Sequence, residues 1–77
     1  MKISIKLFGQ IADIAGSSSI LLDNIADTDE LIQQLQLKYP VLINTKYNVA
    51  VNRNMIQSNT VLKQDEEVAL LPPFSGG

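Results

Sequence analysis

The residues with the clearest potential for chemistry are the last six, Pro72-Pro73-Phe74-Ser75-Gly76-Gly77. The two prolines fix φ and favour an extended segment that leaves the last strand, so six residues reach up to about 20 Å. The two glycines lack a Cβ and can pass through a channel too narrow for other residues. We therefore predict a flexible C-terminal Gly-Gly tail, residues 72–77, that carries its terminal carboxylate into another protein's site.

The rest of the chain offers few groups for catalysis. It has no Cys and no His, which excludes a thiolate nucleophile, a zinc-thiolate site and a side chain that titrates unperturbed near neutrality. A carboxylate is unreactive until it becomes a mixed anhydride such as an acyl adenylate, and another protein must supply that step. We therefore expect a chain that is not an enzyme on its own, with no metal site and no bound cofactor.

The tail also fits a plainer interpretation. The Pro-Pro pair then only ends a strand, and the Gly-Gly pair is a frayed terminus with no function. The residue types alone leave both interpretations open. The scarcity of internal catalytic groups favours a tail that carries its carboxylate to another protein.

Composition and charge restrict the class of protein. The 77 residues are 45% apolar and 18% charged, which is the balance of one globular domain. The net charge is −2, with the basic residues scattered along the chain, so we expect no nucleic-acid partner. The longest apolar runs, such as 68–71, are far short of a membrane span. The absence of Cys and of a secretory signal leads us to expect a cytoplasmic location.

The first part of the chain predicts two strands around a short helix. From Lys2 to Phe8, apolar residues alternate with polar ones, which is typical of a strand with one buried face. Residues 9–16 change to helical spacing, and Gly16 provides a left-handed stop. Ile20-Leu21-Leu22 is long enough only for a strand.

The most clearly marked helix runs from Thr28 to Tyr39. Asp27 is a good N-cap, Glu30 lies three residues later, and Pro40 ends the helix. One face carries an apolar stripe at helical spacing that should pack into the core: Leu31, Ile32, Leu35 and Tyr39.

The second half predicts a hairpin and a final strand. Residues 47–51 alternate as a strand, and Asn52-Arg53-Asn54 provides a turn before the short pair Met55-Ile56. After a polar turn at 63–66, Glu67–Leu71 is apolar on both faces. Such a strand is typical of a sheet centre, or has one face reserved for a partner.

These elements predict an α+β fold for residues 1–71. The simplest arrangement is one mixed sheet with a single main helix packed across it, the β-grasp (ubiquitin-like) arrangement, with the first and last strands side by side at the centre. The extended tail, residues 72–77, then leaves the last strand.

The C-terminal sequence Glu67-Val68-Ala69-Leu70-Leu71-Pro72-Pro73-Phe74-Ser75-Gly76-Gly77 closely resembles the small, sulfur-carrying subunits of molybdopterin synthases. The resemblance extends through Phe8-Gly9-Gln10, the main helix and Val49-Ala50-Val51-Asn52. A double Gly is shared by every ubiquitin-like carrier, whereas Pro-Pro, one apolar residue, Ser and Gly-Gly together are more specific. One departure is Asp65, where such subunits usually have Gly, and Asp tolerates the left-handed conformation.

The resemblance implies a cycle with several partners. A ubiquitin-activating-type adenylyltransferase uses ATP to adenylate the carboxylate of Gly77, and a sulfur donor protein converts it to a thiocarboxylate. The tail then enters the large subunit of molybdopterin synthase, expected as a heterotetramer, where the sulfur passes to precursor Z (cyclic pyranopterin monophosphate) to build the molybdopterin dithiolene. In this scheme Gly77 carries the sulfur, Gly76 gives access, and four residues guide the tail: Pro72, Pro73, Phe74 and Ser75.

A carrier must also dock on its partners. Phe8 points away from the buried face of the first strand, and Leu71 lies on the outer face of the last strand. Met55 is an adaptable third candidate near a turn. The family docks through apolar residues at matching positions, so we predict that Phe8, Met55 and Leu71 bind the partner. Ordinary packing of Phe8 and Leu71 under a loop is the alternative.

Three other functions remain open from the sequence. The sulfur carrier of thiamine biosynthesis shares the fold and Gly-Gly but typically lacks Pro-Pro. A ubiquitin-like modifier would join Gly77 to target lysines. A small interaction module would have an incidental tail, and removal of Gly76 and Gly77 would not affect its function.

Overall fold

The computed structural model describes residues 2–73 of the chain. Within these residues there are five strands, two α-helices and a short 3₁₀ helix at Pro40–Asn44. In chain order the strands and α-helices are β1 Lys2–Leu7, α1 Gln10–Ala15, β2 Ser19–Asp23, α2 Thr28–Lys38, β3 Asn48–Val51, β4 Asn54–Met55 and β5 Glu67–Leu71.

The strands form one mixed sheet in the order β2-β1-β5-β3-β4. β1 and β5, from opposite ends of the chain, are parallel neighbours, and the other three pairings are antiparallel. β5 is therefore hydrogen-bonded on both sides at the middle of the sheet. This topology confirms the α+β, β-grasp fold and the central pairing of the first and last strands.

The core lies between one face of the sheet and the helices. Ile3, Ile5 and Leu7 of β1 are buried, as the alternation predicted, and Val68 and Leu70 of β5 point the same way. The side chains that meet them come from both helices and from the loops: Ile11, Ile25, Leu31, Leu35, Leu42 and Leu62. Ile32 and Tyr39 pack at the edge of this core, so the predicted stripe of the main helix is confirmed.

Local hydrogen bonds explain where the helices begin and end. The Asp27 side chain accepts a hydrogen bond from the Glu30 N–H at 2.9 Å and caps α2. The Glu30 carboxylate accepts from the Ala26 N–H at 3.0 Å, one residue before the position of a standard capping box. Gly16 ends α1 in the left-handed conformation, with φ 71°, as its sequence predicted.

The structure corrects several predicted boundaries. β1 ends at Leu7 rather than Phe8, and the pair 55–56 contributes only Met55 to β4. Pro40 does end the main helix, but it also begins the 3₁₀ helix, which the sequence reasoning missed. Proline suits a first helical turn because its missing N–H needs no partner there.

Two further predictions concern membrane spans and the domain boundary. Among residues 2–73, no helix is long and apolar enough to cross a membrane. The division into a domain at 1–71 and a tail at 72–77 stays a prediction, because residues 74–77 lie outside the described part of the chain.

Candidate functional site

The face of the sheet opposite the helices is the candidate site. Side chains alternate across each strand, so residues that neighbour the core residues point to this outer face. One row crosses four strands, because Lys6 pairs with Ala69, Ala69 with Ala50, and Ala50 with Met55. Two alanines side by side leave a depression between larger neighbours.

We call this depression the outer groove. Its volume is about 410 Å³. Ala50, only 5% exposed although it faces away from the core, lies deep within it. The groove is lined by residues from β1, β3, β4 and β5 and from the adjoining turns: Lys6, Phe8, Ala50, Arg53, Met55, Glu67, Ala69 and Leu71.

The groove is apolar toward one end of β5 and charged toward the other. Phe8 and Leu71 lie where β5 ends, and Met55 completes the apolar lining. Glu67 lies at the start of β5 and forms an ion pair with Lys6 on the adjacent strand, with 3.1 Å between Nζ and Oε2. Both side chains are about half exposed, so this pair contributes little to stability.

The β3–β4 hairpin brings Arg53 and Met55 to the groove. Val51 pairs with Asn54, which leaves a two-residue loop, Asn52-Arg53. Both loop residues have positive φ, 50° and 71°, as in the type I′ turn that matches the twist of a hairpin. Such turns favour Gly at the second position, and the left-handed conformation costs a residue with a Cβ about 1 kcal/mol or more.

Asn52 holds this hairpin against the start of β5. Its side-chain amide donates to the Glu66 carboxylate at 2.8 Å, and its side-chain oxygen accepts from the Glu67 N–H at 3.0 Å. The Asn52 N–H in turn donates to the Glu67 carbonyl at 2.8 Å. The turn is therefore fixed by three hydrogen bonds, and the position of Arg53 over the groove follows from them.

The chain leaves the sheet next to the apolar end of the groove. The Phe8 N–H donates to the Leu70 carbonyl at 3.2 Å, so the residue after β1 is tied to β5 near its end. Gly9 follows with φ 58°, and a Cβ placed there would lie 2.9 Å from Cγ of Pro72. The β1–α1 turn thus packs directly against the first proline of the tail.

The structure places the three sequence-predicted docking residues together. Phe8, Met55 and Leu71 all line the outer groove, and Phe8 and Met55 are 44% and 47% exposed. None of the three belongs to the buried core, although Leu71 is half-buried. Their role in binding a partner stays a prediction.

The predicted tail residues divide between described and undescribed parts of the chain. Pro72 and Pro73 follow β5 outside any helix or strand, with Pro73 exposed. The other four lie outside the described residues, and their predicted roles stay predictions: Phe74, Ser75, Gly76 and Gly77.

Sequence reasoning missed the other groove residues. The sequence predicts Arg53 only as part of a turn and Glu67 only as the first residue of the last strand. Strand register was the signal that could have found them, because it places Lys6, Ala69 and Ala50 in one row with Met55. That register depends on the crossover from β1 to β5, which local patterns do not specify.

A second, shallower cleft lies at the start of α2, lined by residues of α2, β3 and the 56–59 loop. Its polar side chains accept hydrogen bonds from backbone N–H groups: Asn59 Oδ1 accepts from the Asp29 N–H at 2.9 Å, and Thr28 Oγ1 accepts from the Thr60 N–H at 2.8 Å. Within residues 2–73, no cluster of three or more acidic side chains could hold a metal ion. The outer groove is therefore the stronger candidate.

The sequence is similar to one protein family and to curated proteins that share one name. Residues 5–77 match the ThiS family. The molybdopterin synthase sulfur carrier subunit of Mycobacterium tuberculosis is 30% identical, over all of this chain and 99% of that protein. The subunit of the same name from Dictyostelium discoideum is 32% identical, over 95% of this chain and 93% of that protein.

Solved structures share the fold over its full length. One is a chain from a complex of subunits 1 and 2 of molybdopterin-converting factor from Helicobacter pylori, with 29% identity, a TM-score of 0.75 and full coverage of both chains. Another is the small archaeal modifier protein 1 of Methanosarcina acetivorans, with 26% identity, a TM-score of 0.82, and coverage of 99% and 96%.

Proposed function

The chain belongs to the ThiS family, and from that premise we propose that it is the sulfur carrier subunit of a molybdopterin synthase. The observation that carries the proposal is the end-to-end similarity to subunits of that name, together with a sheet whose central strand lines the groove and continues into the tail. Such a chain is a carrier within a heteromeric enzyme, without catalytic groups of its own.

The geometry supports delivery by docking. A partner that covers the outer groove contacts Phe8, Met55 and Leu71, and Leu71 is followed directly by Pro72. The tail therefore starts at the edge of the docked surface, and extended prolines direct it away from the sheet. Docking on a rigid sheet fixes where the tail begins, which reduces the entropy lost when its end reaches a reaction site.

The chemistry proceeds at the carboxylate of Gly77. An oxygen of that carboxylate attacks the α-phosphorus of ATP on an activating adenylyltransferase, and pyrophosphate leaves. Hydrosulfide supplied by a donor protein then attacks the acyl carbon and displaces AMP, and loss of the proton leaves a thiocarboxylate at the terminus. The large subunit binds the charged carrier and transfers the sulfur to precursor Z (cyclic pyranopterin monophosphate). Two loaded carriers supply the two sulfurs of one dithiolene, which suits a heterotetramer.

The first test is the intact mass of the protein purified from its native cell with an unblocked C-terminus. We expect a fraction with one oxygen replaced by one sulfur, located at Gly77 by fragmentation. If no such species forms after incubation with the cognate adenylyltransferase, ATP and a sulfur source, the proposal is wrong.

The second test removes Gly76 and Gly77. The truncated chain keeps every described residue, so we expect the unfolding midpoint and the affinity for the large subunit to stay near those of the full chain. Sulfur transfer should be abolished, because no carboxylate reaches the activating site. Cofactor synthesis at the full-length rate would instead support an interaction module with an incidental tail.

A ubiquitin-like modifier is the second candidate, favoured by the structural similarity to a small archaeal modifier protein. It predicts isopeptide adducts of Gly77 with target lysines in lysates, and these would survive reduction and denaturation. The thiamine-type carrier differs only in its acceptor, so supplying each sulfur acceptor to the loaded carrier distinguishes it.

A further inference from the structure

Arg53, in the outer groove, has a positive φ of 71°, a backbone conformation that is unfavourable for a residue with a long side chain. Six described residues have positive φ, and the other five are Asn, Asp or Gly, the types that tolerate this conformation. Arg53 alone among them is neither short nor lacking a Cβ. A residue that breaks a local rule is commonly one whose side chain is needed for function.

The charged residues of the groove indicate which function the Arg53 side chain could have. The groove holds two cations, Lys6 and Arg53, and one anion, Glu67. Lys6 and Glu67 form an ion pair, and among residues 2–73 no carboxylate pairs with Arg53. The groove therefore presents one unmatched guanidinium beside an apolar lining.

A docked partner would remove water from this guanidinium. Covering a charge without giving it a partner is costly, whereas an opposing carboxylate can bind the planar guanidinium through two hydrogen bonds. Apolar surface opposite Phe8, Met55 and Leu71 supplies contact area, but it does not select between similar grooves.

We infer that Arg53 is the specificity-determining residue of the outer groove and binds an Asp or Glu side chain of the large subunit. The inference rests on the proposed function, which supplies the partner. Arg53 is kept at the second turn position despite the backbone strain, because the hydrogen bonds of Asn52 fix that turn and hold the guanidinium over the groove. Binding and stability are therefore opposed at this position.

The test measures two quantities for each variant, the affinity for the cognate large subunit by calorimetry and the urea midpoint of the carrier alone. Arg53→Gly should raise the urea midpoint, since Gly is the preferred residue of this turn. The same variant should bind about tenfold more weakly, as expected for loss of one charge-assisted pair. Arg53→Gln should bind equally weakly without the gain in midpoint.

The chain offers matched controls. Asp65 also has positive φ, 68°, but it lies in the turn before β5 and does not line the groove. Asp65→Gly should raise the urea midpoint and leave the affinity within about twofold of the wild type, because it removes strain without touching the groove. Lys38→Gln removes a cation from α2, on the opposite side of the sheet. It should also leave the affinity unchanged, which separates the local contact from net charge.

The outcomes separate this inference from the proposed function. If the wild type binds the large subunit and both Arg53→Gly and Arg53→Gln bind equally well, the inference is overturned and the proposed function stands. If the wild type does not bind, both are overturned. If Lys38→Gln weakens binding as much as Arg53→Gln, net charge rather than Arg53 is responsible, and the inference is again overturned. Recovery of an Arg53→Glu variant by an Asp→Arg or Glu→Arg change on the large subunit would identify the paired carboxylate.

Discussion

Met55 can separate binding from folding at the scale of one residue. It lines the groove but is 47% exposed, and it lies outside the core. We expect Met55→Glu to leave the unfolding midpoint nearly unchanged and to weaken binding to the large subunit at least tenfold, because a carboxylate would be buried against apolar surface. Leu37→Glu is the control, since Leu37 is 73% exposed on α2. Equal binding by both variants would contradict the docking role of the groove.

Substitution of Thr28 can measure how much one buried polar contact contributes to stability. It is 3% exposed, and its hydroxyl accepts from the Thr60 N–H at 2.8 Å. Thr28→Val preserves the shape but leaves that N–H without an acceptor, so we expect the free energy of unfolding to fall by about 1–3 kcal/mol. Thr45→Val removes a hydroxyl bonded to the Val41 carbonyl in an exposed setting and should cost less. Urea unfolding of the two variants measures the difference, and equal losses would show that burial is not the cause.

The sequence predicted two site residues from alternation along a single strand, and a third, Met55, from its adaptable side chain near a turn. Phe8 and Leu71 could be assigned to the outer face because alternation along β1 and β5 determines which way each side chain points. Arg53 could not be assigned to the groove, since its place depends on the pairing of β3 with β5. That pairing joins segments separated by a long loop, and no local pattern specifies it.

The N-cap of α2 allows a test of how much one side-chain hydrogen bond stabilises a single helix. Asp27 accepts the Glu30 N–H at 2.9 Å, and its neighbour Asp29 forms no such side-chain bond among the described residues. We expect Asp27→Ala to lower the free energy of unfolding by about 1 kcal/mol, because a helical N–H loses its acceptor. Asp29→Ala removes the same charge near the helix start and should cost only a few tenths of a kcal/mol. Thermal unfolding compares the two, and equal effects would assign the stabilisation to charge alone.

Helix ends marked by a capping or helix-breaking residue were predicted well, as were β1 and β5, whereas the 3₁₀ helix and the short β4 were not. Three residues act locally at the helix ends: Asp27 caps α2 with its side chain, Gly16 adopts the left-handed conformation after α1, and Pro40 lacks the N–H that would continue α2. The 3₁₀ helix at Pro40–Asn44 buries only Leu42, which is too little periodicity to detect. β4 has two residues, and its length depends on β3 rather than on its own sequence.

Across the whole molecule, the free energy of local opening should be highest for the central strand of the sheet and lower for the edge strand β4. β5 is hydrogen-bonded on both sides and contributes two fully buried side chains, whereas β4 pairs on one side over two residues. We expect the amide protons of Val68 and Leu70 to exchange only through global unfolding, and those of β4 and the 3₁₀ helix to exchange through local opening. Native-state hydrogen exchange in increasing urea measures this, and early exchange of β5 would contradict it.

The position of β5 also has a mechanical consequence. A force applied to the tail acts along β5, because Pro72 directly follows Leu71, the last residue of that strand. The hydrogen bonds from β5 to β1 and β3 are directed across the strand, so they share the load together instead of breaking one after another. A partner that pulls the tail into a narrow channel therefore loads the sheet in shear, the direction in which a strand held on both sides resists being drawn out.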